Sequence, residues 1–119
     1  MIKQTNPGRA MADMAIATAN DIKAREIVCL DVAAMTSMTD YMVIASGSSS
    51  RHVKSIAETV LEKMKSEGYK PVGVEGLDAG EWVLVDFGSV ILHVLGEEAR
   101  KLYALEKLWT PLPDGTVTG

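Results

Sequence analysis

The chain has 119 residues, a net charge of −4 and one cysteine, with 47% hydrophobic and 24% charged residues. That length suits one domain with a single core and no need of covalent staples. The lone Cys29 rules out an intrachain disulfide, no apolar run approaches the length that spans a bilayer, and the acidic balance without any basic run argues against nucleic acid as the primary ligand.

Residues 1–9, "MIKQTNPGR", carry Asn, Pro and Gly and are expected to form a flexible N-terminus. Over 10–24, Met11, Met14, Ala15, Ile16 and Ile22 trace a loose helical stripe. Asp13 interrupts this stretch, which argues against a signal peptide. "IVCLDV" (27–32) has the β-branched content of a strand. Cys29 lies inside it with no basic neighbour, so it is expected to be a small buried hydrophobe in a reducing, cytosolic protein. "AAMTSMTD" (33–40) connects to "YMVIAS" (41–46), whose nearly continuous apolar character predicts an interior strand.

"GSSSRHVKSIAETVLEKMKSEGY" (47–69) is the clearest helix. Val53, Ile56, Ala57, Val60, Leu61 and Met64 fall on one face, a serine among 48–50 can cap the start, and Gly68 can end it. "PVGVE" (71–75) reads as a short strand, "GLDAGE" (76–81) as a loop and "EEARKLYALEKLW" (97–109) as a final helix. Residues 110–119 hold two prolines and two glycines and are expected to be a flexible tail. The folded part is thus one α/β domain over 10–109, with a mixed sheet of about five strands and flanking helices. The strand-helix-strand unit at 41–75 predicts a parallel pair joined by a right-handed crossover.

Between 80 and 95, "GEWVLVDFGSVILHVL" reads as a hairpin. A two-residue turn at Gly88-Ser89 pairs Phe87 with Val90, Val85 with Leu92, and Val83 with Val94, an apolar face that must look into the core. The opposite face pairs Asp86 with Ile91, Leu84 with His93, and Trp82 with Leu95. Large apolar groups beside a few polar ones are typical of protein contact surfaces. A second reading has a helix covering this face and an Asp86–His93 pair beneath it. A third makes it catalytic.

Other chemistry is sparse. The turn at Gly47-Ser48 precedes a helix N-terminus, where N–H groups could hold an anion with help from Arg51 and His52. It is neither a Walker loop nor a dinucleotide fingerprint. No G-x-S-x-G occurs, and His52 and His93 have no histidine or cysteine at ligand spacing, so no metal and no catalytic set are expected. Asp31, Glu75 and Asp86 are isolated, whereas two-metal phosphoryl transfer needs clustered carboxylates.

"DYMVIASGSSSRHVKSIAETV", "VEGLDAGEWVLVDFGSVILHVL" and "EEARKLYALEKLW" closely resemble the ribosomal silencing factor, or Iojap-like, family, from about residue 20 to 109. The resemblance implies a nucleotidyltransferase-like topology and a cytoplasmic translational repressor without cofactor. Such a protein binds the large ribosomal subunit through its protein L-fourteen and blocks joining with the small subunit when nutrients are scarce. It would touch little nucleic acid and no membrane. Trp82, Asp86 and His93 match the family's hairpin motif; Arg100, Tyr103 and Lys107 match its terminal helix. Together with the face reading, this gives an expected partner-binding set of Trp82, Leu84, Asp86, Ile91, His93, Leu95, Arg100 and Tyr103. The rival readings are a nucleotide-binding or nucleotidyltransferase enzyme, whose paired carboxylates are not recognisable here, and an adaptor that homodimerises through the same face when free.

Overall fold

In the computed structural model, which describes residues 7–103, α1 (Pro7–Asp21) begins inside the stretch expected to be irregular. Proline is at home in a first helical turn, because its missing N–H would have no partner there anyway. α2 (Ser50–Ser66) starts at Ser49, whose hydroxyl accepts from the His52 N–H at 3.1 Å. It ends in a Schellman closure, with Tyr69 N–H donating to the Met64 carbonyl and Gly68 N–H to that of Lys65. α3 (Glu97–Tyr103) follows the last strand directly. The remainder of the expected helix (104–109), Lys107 and the expected tail lie outside the described residues.

The strands are β1 (Arg25–Asp31), β2 (Tyr41–Gly47), β3 (Gly73–Glu75), β4 (Trp82–Asp86) and β5 (Val90–Gly96), and they form one mixed sheet in the order β1-β2-β5-β4-β3. β2 is interior as expected, with all seven residues buried. The parallel pair is not the one expected, however. β2 pairs in parallel with β5, while β3 lies at the far edge, antiparallel to β4. The hairpin inserts between the two ends of the strand-helix-strand unit, because β5 is long and apolar on both faces and takes the centre. The hairpin register itself is the expected one, and Phe87 N–H closes the turn onto the Val90 carbonyl.

Strand alternation divides the sheet into two faces. On the first, Val43, Val83, Val85, Phe87, Val90, Leu92 and Val94 pack against Met11, Ala12, Ala15 and Ala19 of α1 and Val53, Ile56, Val60 and Met64 of α2. Leu61 is only partly buried at the rim of this core. Cys29 also packs there; burial raises its thiol pKa despite the opposing influence of Arg9. On the second face, Val32, Met42, Ile44 and Leu95 form a smaller cluster, flanked by Trp82 and by Ala99 of α3. No helix of the described residues is long and apolar enough to cross a membrane.

Candidate interaction site on the second face

β4 and β5 bring Trp82, Leu84 and Asp86 alongside Leu95, His93 and Ile91 in direct cross-strand pairs. Burial splits this set by strand. Trp82, Leu84 and Asp86 are half-buried, whereas Ile91, His93 and Leu95 are buried. β4 also lies between two strands, but its outer neighbour β3 is only three exposed residues, whereas β5 lies beside the fully buried β2 and is contacted by α3. Arg100, expected at the surface, is also buried. Of the members of the expected partner-binding set that lie on the sheet, Trp82, Leu84 and Asp86 offer surface. Tyr103 closes α3, at the end of the described chain.

The buried members hold polar contacts. The Trp82 indole Nε1–H donates to His93 Nδ1 at 3.0 Å, with ring centroids 5.9 Å apart. An indole N–H can only donate, so Nδ1 must be the unprotonated nitrogen and the ring proton resides on Nε2. Burial enforces the same neutral form by pushing the imidazole pKa from 6.5 down to about 4. Arg100 Nη1 donates to Ser46 Oγ at 3.0 Å, tying α3 to the C-terminal end of β2.

The Asp86–His93 pair of the covered-face reading does not form. Asp86 Oδ1 instead accepts from Gly88 N–H at 2.7 Å and braces the turn, while His93 takes the diagonal neighbour Trp82. Beside Trp82 lies a hollow of about 330 Å³ lined by Glu75, Gly76, Trp82 and Leu84. Glu75 and Gly76 were missed as site residues because Glu75 reaches Leu84 only through the β3–β4 pairing.

The glycine-serine turn is a different kind of place. Ser48–Ser50 open onto a cleft of about 460 Å³ at the C-terminal ends of β2 and β5. The Ser48 N–H, which an anion would need, donates to His52 Nδ1 at 2.9 Å, and His52 Nε2 lies 2.8 Å from the Ile22 carbonyl. Glu81, Glu97 and Glu98 also line the cleft, so its charge opposes a phosphate. His52 is a pin between this turn and the end of α1 rather than an anion ligand. Among the described residues, no group of three or more His, Cys, Asp or Glu gathers as a metal site would require.

Comparison with known proteins identifies the relatives of this chain. The sequence pattern described as "Ribosomal silencing factor during starvation" matches residues 5–118. The ribosomal silencing factor of Chromobacterium violaceum is 42% identical over 99 residues, 83% of this chain and 81% of that protein. That of Haemophilus influenzae is 37% identical over 100 residues, 84% and 98% of the two chains. A mouse protein named for mitochondrial assembly of the ribosomal large subunit is 39% identical over 82% of this chain, which spans 44% of that longer protein. A crystal structure of a Chromobacterium violaceum protein superposes with a TM-score of 0.85 at 39% identity, covering 93% of this chain and 92% of that one. One from Bacillus halodurans gives 0.78 at 31% identity, covering 85% and 94%.

Proposed function

The chain belongs to the ribosomal silencing factor family, and from that premise we propose that it represses translation by binding the large ribosomal subunit through the second face of its sheet. Its partner there is a large-subunit protein, L-fourteen in the family resemblance. Occupancy of that site blocks joining with the small subunit and lowers translation under nutrient limitation. The protein acts in the cytoplasm by steric exclusion rather than catalysis, and no cofactor enters.

The observation that carries this reading is the state of Trp82. It is a large aromatic group left half-exposed on a face whose β5 residues are buried, with its indole N–H fixed by His93. An aromatic anchor held in one orientation loses little entropy on docking, which suits a binding hot spot. Leu84 and Asp86 flank it as contacts. His93 and Leu95, buried beside it on β5, hold it in place. An acidic chain also fits a protein partner better than ribosomal RNA.

The test is Trp82→Ala, first shown to be folded by circular dichroism. Truncating such an anchor costs about 2–4 kcal/mol of binding, or about 30- to 1,000-fold in affinity for isolated large subunits. Blocking of subunit joining falls with it. Wild-type binding and wild-type blocking by the variant overturn the reading. The rival adaptor reading is separated by light scattering of the free protein: a dimer that Trp82→Ala dissociates, with ribosome binding intact, assigns the face to self-association.

A further inference from the structure

We propose that the hollow beside Trp82 receives one cationic side chain, a lysine or arginine, of the protein partner. This rests on the docking reading above and adds the chemistry of the contact. The hollow is walled on its apolar side by Trp82 and Leu84, and among the described residues its one ionisable lining residue is Glu75. Glu75 is exposed and makes no ion pair with another described residue. The indole offers a single N–H, and that donor is spent on His93. Polar recognition in the hollow therefore falls to an acceptor, the Glu75 carboxylate, and acceptors of full negative charge select cationic donors.

A long basic side chain fits both walls. Its methylene stem lies along the apolar surface while its head meets the carboxylate, and an aromatic neighbour adds cation–π attraction. The rim is fixed by the backbone. Gly76 has φ of +82°, and a Cβ there would collide with the Trp82 carbonyl oxygen, so the loop after β3 presses closely on the start of β4. An anionic partner such as an RNA phosphate would meet an uncompensated carboxylate instead. The net charge of −4 adds to that repulsion.

The experiment compares Glu75→Gln, Glu75→Lys and Trp82→Ala in the full chain, by equilibrium binding to isolated large subunits at two salt concentrations. Glu58→Gln, an exposed change on α2, is the charge control. The expected result is a loss of about 3- to 10-fold for Glu75→Gln, a larger loss for Glu75→Lys, and a narrower gap from wild type at high salt. Wild-type affinity of both Glu75 variants beside a weakened Trp82→Ala overturns the cationic contact and leaves the docking face standing. Tighter binding by Glu75→Lys overturns it in favour of an anionic partner group. Wild-type affinity of all three variants overturns both the contact and the face.

Discussion

On the first face of the sheet, Val83, Val85, Leu92 and Val94 meet Val53, Ile56 and Val60 in a large apolar cluster that also takes in Tyr41 and Phe87. On the second, the same strands carry Trp82 and His93, β2 carries Ser46, and α3 adds the buried Arg100. The first face is held mainly by buried apolar area, and many residues share the load. The second is held by a few polar contacts, each between a particular donor and a particular acceptor: indole to imidazole, guanidinium to serine. An apolar face can lose a methyl group and relax. A polar pair that loses one member leaves the other buried without it, at a cost set by desolvation. The first face therefore specifies the fold, and the second orients groups at the surface.

The largest expected effect is on the first face. Ile56 is fully buried between α2 and the sheet. Ile56→Ala removes most of its side chain from a packed site and is expected to destabilise the protein by about 2–5 kcal/mol in urea unfolding. Affinity of the folded fraction for large subunits should not change. A loss of affinity in the still-folded variant would break the division of labour between the faces.

Next comes the pH response of the second face. His93 titrates near 6.5 when exposed and at about 4 in the fold. Between those values the unfolded chain binds a proton that the folded chain refuses. Stability is therefore full above about pH 6.5 and falls as pH drops, with a loss of about 3 kcal/mol by pH 4. His93→Asn keeps an acceptor for the indole and removes the titration. Urea midpoints measured from pH 6.5 to pH 5 should slope for the wild type and flatten for the variant. Equal slopes would mean that other groups set the acid response.

Ser46→Ala tests the other polar contact. It takes the serine oxygen from a buried guanidinium, a change expected to cost about 1–2 kcal/mol. Ser46 is not the sole partner of Arg100, which keeps the expected loss at that level. A loss below about 0.5 kcal/mol would place Ser46 with ordinary surface positions and weaken the claim that the second face depends on specific pairs.

The two faces were also unequally legible. The first follows from local rules. Gly88 at φ +88° sets the turn, and alternation then sorts six apolar residues inward. α2 declares itself through its apolar stripe, Ser49 and Gly68. The second face depends on long-range facts that no local pattern holds. The choice of β5 over β3 as the neighbour of β2 decides that Ile91, His93 and Leu95 are buried rather than exposed. It also sends β3 to the edge, where Glu75 meets Leu84. The Asp86–His93 pair of the second reading fails for a related reason. Cross-strand order shows who stands opposite, while the reach of a large indole decides who is bonded.

The smallest expected effect is the control that sharpens the comparison. Lys65 is exposed on α2, which packs on the first face, whereas Trp82 flanks the cluster of the second. Lys65 is in none of the ion pairs Arg9–Asp13, Arg25–Glu97 and Lys63–Glu67, and exposed charges of this kind contribute within about 0.5 kcal/mol to stability. Lys65→Ala is therefore expected to match the wild type in urea unfolding and to bind large subunits with unchanged affinity. Its removal makes the chain more acidic by one charge, so any long-range attraction between the protein and ribosomal RNA would weaken and show as a slower association at low salt. An unchanged rate separates the two surfaces cleanly: contact lies on the Trp82 side and charge on the helix side plays no part. A loss of affinity comparable to that of Trp82→Ala would instead mean that the partner grips the helix layer, and the second face would be a structural feature only.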